Sequence, residues 1–397
     1  MRILHVVASY LPATRYGGTI VSVHGLCKAL AARGHDVHVI TTSVDGDGDS
    51  AVEHEVPVLV DGVTVWYFRS RHFRRLYWSP PLGHALRERM SGFDMLHTHA
   101  IYLWPMWAAA RYAHATGVPH VLSPRGMLEK ELIARKSALW KSALIGFKER
   151  RILEGASALH VTSGREAEQA RAFGFNLPPM IEIANGVDTQ LPPADQSSPA
   201  IRELAAGSPF VLFLGRINWK KGLDRLVNAL AQAPSVRAII AGNDEERYGA
   251  QLRIQAQRLG VADRITFAGP VWGADKAVLL RAARLLVLPS YSENFGNVVV
   301  EAWAAGCPVV VTPEVGLADY IRTAGGGWVV DGSPAELGQR LASACADQEL
   351  CARAGAIGRQ LAEADFTWSG IAGKMERAYR DVISGRSTPT STAASGG

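Results

Sequence analysis

The sequence repeats one pattern, a short apolar run followed by a longer stretch whose apolar positions fall at helical spacing. In the first half the runs lie at 3–8, 36–42, 63–68, 95–98, 120–123, 158–162 and 180–184. Helical stretches at 19–32, 82–90, 104–115, 131–153 and 165–173 separate them. Strands joined by helices pair in parallel and are covered on both faces, so the fold class is α/β with a doubly wound sheet. After Asn185 the pattern loosens into a Pro-, Ser- and Asp-rich segment that ends at Pro199. It then restarts with runs at 210–214, 237–241, 265–268, 285–288, 309–312 and 327–330. A chain of 397 residues exceeds one ordinary core, so two such domains facing a cleft are expected. The expected bounds are 1–187, a linker at 188–207, 208–365, a closing helix at 366–384 that returns to the first domain, and a disordered polar tail at 385–397.

Composition narrows the function. With 48% hydrophobic and 20% charged residues the chain is an ordinary globular protein. Its four cysteines, Cys27, Cys307, Cys345 and Cys351, form no CxxC pair and suit a reducing compartment, so a cytoplasmic enzyme is expected. No apolar run reaches the roughly 18 residues that a membrane span requires. The net charge of +5 is uneven: residues 66–81 carry Arg69, Arg71, Arg74 and Arg75 with no acid, and 125–151 carry eight basic residues against three acids. The first stretch adds Trp66, Tyr67, Phe68, Phe73, Tyr77 and Trp78. Such a mixture suits peripheral contact with an anionic membrane, on its inner face, or a solvated surface. No nucleic-acid motif accompanies it.

Chemistry concentrates after the run at 285–288. Pro289 stops that run, and a helix begins near Gly296, with Glu293 in the intervening loop and Glu301 about a turn and a half into the helix. The amides of Phe295, Gly296, Asn297 and Val298 form an anion site at a helix start. Amides for a phosphate beside carboxylates for hydroxyls suggest a sugar nucleotide. Arg216 and Lys221, in the loop after 210–214, suit a diphosphate, although neither Walker spacing nor a Lys-Ser/Thr pair is present. Gly17-Gly18 opens the first helix and permits either close approach of a ligand or a tight turn. His97 and His99 share a strand face without a third metal ligand nearby in sequence, so no metal site is expected. His99, at the strand's lip, is placed to bond a substrate hydroxyl. Asp45-Gly-Asp-Gly-Asp49 imitates a calcium loop, but Ser50 and Val56 stand at its sixth and twelfth positions, so a flexible polar loop is expected.

Together these residues resemble the retaining family-4 glycosyltransferases of the GT-B fold, including those of bacterial envelope polysaccharides. The carrying motifs are Ser290-x-x-Glu293-x-Phe-Gly-x-x-x-x-Glu301-Ala and Gly215-Arg216 followed by Lys221-Gly222, supported by Gly17-Gly18, Asp94-x-x-His97-x-His99 and Trp368 with Tyr379. The resemblance implies two Rossmann-like domains and a metal-independent hexosyltransferase without a cofactor, using a UDP-sugar or GDP-sugar and a glycan or lipid-linked acceptor. It assigns Arg216 and Lys221 to the donor diphosphate, Glu301 to ribose and Glu293 to the transferred sugar. The amides of 295–298 would take sugar hydroxyls and phosphate, backbone near Val271 the base, and Gly17 and Gly18 donor phosphate and acceptor. His99 would reach the sugar near its reacting carbon. Arg125, in Ser123-Pro-Arg-Gly-Met-Leu128, replaces a commoner histidine-containing loop and falls on the acceptor side. A nucleotide-sugar epimerase and a non-catalytic nucleotide-sugar-binding protein share the architecture.

Overall fold

The computed structural model describes residues 1–13, 17–129 and 148–386. The chain divides into two compact units, Met1–Gly186 with Trp368–Gly397, and Val187–Thr367. In the first unit the strands are β1 (Arg2–Ser9), β2 (Asp36–Thr42), the small hairpin β3 (Val44–Asp45) and β4 (Gly48–Asp49), β5 (Pro57–Val60), β6 (Val63–Phe68), β7 (Met95–His99), β8 (His120–Ser123), β9 (Ala158–Val161) and β10 (Met180–Glu182). Eight of them form a sheet ordered β10-β9-β8-β7-β1-β2-β6-β5. All neighbours are parallel except β5, which folds back on β6. In the second unit β11 (Val211–Leu214), β12 (Ala238–Ala241), β13 (Ile265–Gly269), β14 (Leu285–Leu288), β15 (Val309–Val311) and β16 (Gly327–Val329) form a parallel sheet ordered β13-β12-β11-β14-β15-β16. Its direction of winding reverses between β11 and β14, and that of the first sheet between β1 and β7. In doubly wound sheets such reversals open a crevice beyond the strands' carboxyl ends.

The helix Trp368–Ile383 belongs to the first unit, where Ile371, Met375 and Tyr379 are buried along one face. Its entry is set by two glycines. A Cβ on Gly25 or Gly186 would come within 2.3 or 2.4 Å of the Trp368 ring, so both positions stay bare to form the slot that holds the indole.

Four features depart from the sequence-based expectations. Residues 188–207 are not a plain linker: they contain the helix Pro199–Ala206, and Asp275 fastens its start by accepting from the Ser197 hydroxyl at 2.8 Å and the Ser198 amide at 2.7 Å. Residues 45–49 are an ordered hairpin, because Asp49 accepts from the Ser43 hydroxyl and the Arg74 guanidinium. The hairpin β5–β6 turns on Asp61-Gly62, both at positive φ. Helices Ala318–Ala324 and Gln348–Asp365 complete the second unit. Residues 131–147 of the expected basic helix and 387–397 of the expected tail lie outside the described residues.

The first sheet encloses a chain of imidazoles. His160 Nε2 lies 2.9 Å from the Ile183 carbonyl, which can only accept, so Nε2 carries the proton. With the ring neutral, Nδ1 accepts from the Ser123 hydroxyl at 2.7 Å. Ser123 then accepts from His97 Nε2 at 2.8 Å, and His97 Nδ1 accepts from the Tyr379 hydroxyl at 2.6 Å. A second chain starts from Arg125, which can only donate. It donates to His99 Nδ1 at 3.1 Å, leaving His99 Nε2 to donate to His5 Nδ1 at 2.9 Å. Burial, then the Arg125 charge, pushes His5 and His160 down to about 3, and burial takes His120 to about 4. His97 and His99 move the same way, first through burial and then through neighbouring charge. Between those values and the usual 6.5 the unfolded chain binds more protons than the folded one, so stability is lost as pH falls below 6.5. Each such histidine contributes a slope of about 1.4 kcal/mol per pH unit in that window. Urea midpoints at pH 7 and pH 5 should therefore differ strongly, with pH 5 lower. Ring 15N shifts should show His160 neutral with its proton on Nε2 at both values, and a His160 titrating near 6.5 would contradict the assignment.

Candidate functional site

The reversal point of the second sheet brings together two motifs that lie 72 residues apart in sequence. The loop after β11 leaves through Gly215, passes Arg216 and makes one tight turn at Trp219–Lys221 before the helix Leu223–Gln232. Gly222 has φ 64, and a Cβ there would lie 1.9 Å from the Pro289 carbonyl oxygen. That bare backbone lets the loop lie against the end of β14, and the Tyr291 amide then donates to the Lys220 carbonyl at 2.7 Å. Lys221 is consequently delivered to Glu293, and Nζ and Oε2 form an ion pair across 72 residues. The backbone of Glu293 is fixed from its other side: its amide donates to the Glu314 carbonyl at 3.1 Å, and its carbonyl accepts from Gly316 at 2.9 Å.

The helix Asn297–Ala304 starts at Gly296, with φ 96, no capping side chain and no acid in its first turn. Phe295 and Gly296 are buried, while Asn297 and Val298 are partly exposed. The start is therefore an uncapped, electropositive helix end. Glu301 answers to a different cation, Lys276, at 2.9 Å. Lys276 was not anticipated from sequence. The signal was its place in the helix Gly273–Ala282, which begins just beyond the carboxyl end of β13. Val271 is buried immediately before that helix. Arg216 is exposed and has no partner among the described residues.

Arg225 ties this edge together. Its guanidinium stacks 3.9 Å from the Tyr291 ring centroid, reaches the Pro289 carbonyl at 3.3 Å and pairs with Glu314 at 3.4 Å. Buried polar atoms without a partner collect here too, namely Asn218 Oδ1, Asp224 Oδ1, Ser290 Oγ and Glu314 Oε2. Buried polar groups are ordinarily satisfied, so their clustering marks a place that takes polar ligand atoms or water.

The reversal point of the first sheet is built differently. Gly17, with φ 83, starts the helix Gly18–Ala32 without a capping side chain, and residues 14–16 are outside the described set. His99 is not at a lip. It is fully buried with both ring nitrogens engaged, because Arg125 folds over it and His5 stacks against it from β1. A substrate hydroxyl reaches this ring only by displacing one of those partners. Ala100, Tyr102 and Arg125 all hold positive φ, a strained backbone concentrated just beyond β7 and β8. Glu149 fixes the first of these loops by accepting from the Tyr102 amide at 2.8 Å and from the Trp107 indole.

His5 also supplies the third imidazole that sequence proximity did not reveal, and ligand atoms of His5, His97 and His99 lie within 4.8 Å of one another. The trio does not fit a cation. Both nitrogens of His97 and of His99 and one of His5 are committed to hydrogen bonds, and the Arg125 guanidinium adjoins them. Over residues 66–78 the structure sorts the expected patch. Tyr67 and Phe68 are buried and Arg74 binds Asp49, whereas Phe73 is 74% and Leu76 40% exposed beside exposed Arg69, Arg71 and Arg75.

Comparison with known proteins reaches both halves. The pattern of glycosyl transferases group 1 matches residues 195–361, and that of glycosyltransferase family 4 matches 16–191. A D-inositol 3-phosphate glycosyltransferase of Xylanimonas cellulosilytica is 30% identical over 397 residues, covering 93% of each chain. One from Paenarthrobacter aurescens is 29% identical over 395 residues, covering 94% of this chain and 95% of its own. Among solved structures, sucrose-phosphate synthase of Thermosynechococcus elongatus aligns with a TM-score of 0.75 at 24% identity, over 97% of this chain and all of its own. Anabaena HepE in complex with UDP and glucose also gives 0.75, at 22% identity, over 96% of this chain and all of its own. These last two share the GT-B architecture, and the near-full-length relatives share its sequence: the chain belongs to the family-4 glycosyltransferases.

Proposed function

We propose that the protein transfers a hexose from a UDP-sugar or GDP-sugar to a glycan or lipid-linked acceptor in polysaccharide biosynthesis, with retention of configuration and without a metal. The observation that carries this reading is the Lys221–Glu293 pair beside the uncapped helix start at Gly296. In the transfer, the acceptor oxygen bonds to the anomeric carbon as the carbon–oxygen bond to the diphosphate breaks. The acceptor proton passes to a donor phosphate oxygen, and the nucleoside diphosphate leaves. Charge builds on the leaving oxygen, and Arg216, Lys221 and the amides of 295–298 are the groups that meet it. Glu293 keeps Lys221 compensated before the donor arrives and then takes sugar hydroxyls, a positioning task rather than proton transfer. Glu301, oriented by Lys276, takes the ribose hydroxyls.

Incubation with a panel of nucleotide sugars, following diphosphate release, tests the reading. Lys221→Met should lower kcat about 100-fold with the melting temperature little changed. Glu293→Gln should lower it comparably, and full activity in both variants would overturn the assignment. Product analysis separates transfer from epimerisation, since an epimerase changes the sugar without an acceptor. A UDP or GDP thermal shift without any turnover would favour a binding protein.

The exposed Phe73 and Leu76 amid Arg69, Arg71 and Arg75 support peripheral docking on the anionic inner face of the membrane, in a cytoplasmic setting. Sedimentation with anionic vesicles should be strong at low salt and weaken above about 0.1 M. Replacing Phe73 by Ser and the three arginines by Ala should abolish it, and unchanged sedimentation would refute docking through this loop.

A further inference from the structure

Among the described residues Arg125 is a cation without an anion. Its side chain is largely withdrawn into the first unit, yet no carboxylate forms an ion pair with it among the described residues. Glu166 acts on it only at longer range, because one of its oxygens accepts from the Gly126 amide and the other from the Thr162 amide and hydroxyl. The contacts Arg125 does make are to neutral acceptors, Asn185 Oδ1 at 2.8 Å and His99 Nδ1 at 3.1 Å. Those use two of its five N–H groups, and Nε has no partner. The surrounding imidazoles cannot compensate it, since an imidazole is either neutral or itself cationic, and burial and Arg125 hold these neutral. Leaving a partly desolvated charge unpaired is destabilising, and its backbone is held at φ 56 in addition.

We propose that Arg125 is the recognition site for an anionic group on the acceptor, a phosphate or a carboxylate, gripped by the guanidinium donors that His99 and Asn185 leave free. The proposal rests on the transferase reading given above. His99 and Asn185 are positioning residues here: each fixes one terminal nitrogen of the fork and thereby aims the remaining N–H groups. A planar fork held from two sides suits two-oxygen recognition of phosphate or carboxylate, for which a lysine is a poorer substitute.

Full-length protein saturated with UDP is melted in inorganic phosphate, glucuronate or neutral glucose, each against sodium chloride of equal ionic strength. Phosphate, glucuronate or both should raise the melting temperature by a few degrees at about five times the dissociation constant, and glucose should not. The stronger of the two anions tells a phosphorylated acceptor from a uronic acid. Arg125→Met should lose the anion shift, and Arg125→Lys should keep a reduced one. An undiminished shift in Arg125→Met overturns the proposal, as does the absence of any shift in the wild type. If the methionine variant does not fold, the His99 ring decides in the wild type: its 15N resonances should move on phosphate titration, and static resonances overturn the site. The UDP shift in the same samples reports the donor half alone, so failure of the donor reading is seen separately.

Discussion

In the second unit the backbone of Gly222 lies so close to the Pro289 carbonyl that a Cβ would come within 1.9 Å of its oxygen, and the candidate site is a consequence of that approach. Two parallel strands end side by side at β11 and β14, and any side chain at 222 would drive their following loops apart. With none there, Lys221 falls on Glu293, Tyr291 bonds Lys220, and Arg225 reaches over both loops to Glu314. The helix start at Gly296 is then presented beside two lysine–carboxylate pairs. A substitution at 222 acts on this geometry first and on stability second, because 64° is a φ that other side chains rarely adopt.

In the first unit the corresponding constraint is a single carbonyl. Ile183 accepts from His160, and that one fixed direction propagates through Ser123 and His97 to the Tyr379 hydroxyl on the last helix. The return of residues 368–383 to this unit is therefore specified twice. The Gly25 and Gly186 slot holds the helix at Trp368, and a polar contact in the middle of the sheet holds it at Tyr379. A buried polar chain of this kind tolerates no partial version, since every broken link leaves an unsatisfied group behind.

Much of this was legible in the sequence because it is local. Strands, their stops at residues such as Pro289, and the loops carrying Lys221, Glu293 and Gly296 all follow from period and punctuation. What was not legible depends on register between strands distant in sequence. His5 meets His97 because β1 and β7 pair at those residues, and nothing near residue 5 announces it. The same holds for Lys276 with Glu301 and for Arg225 with Glu314, which join segments that follow non-adjacent strands, β13 with β14 and β11 with β15. Placing His99 at the lip failed because position along a strand says nothing of what folds over its end, here Arg125. The hairpin β5–β6 was overlooked although Asp61-Gly62 carries a strong two-residue turn signal. The helix at Pro199–Ala206 hid inside composition that reads as linker until Asp275 is seen to fasten it.

The cations at the two reversal points can be ranked by what solvent does for them. Lys221 and Lys276 each have a carboxylate, so removing either partner leaves the other exposed to a full change in local charge. Arg216 has none among the described residues but is exposed, and water screens it at little cost. Arg125 has neither a carboxylate among the described residues nor full hydration, and it is the only one of the four held at a positive φ. The physical cost of keeping a residue as it stands is thus greatest at Arg125, while the sequence motif is strongest at Lys221 and Glu293. Pattern singles out Lys221 and Glu293, and uncompensated charge singles out Arg125, the residue proposed above to meet an anionic group on the acceptor.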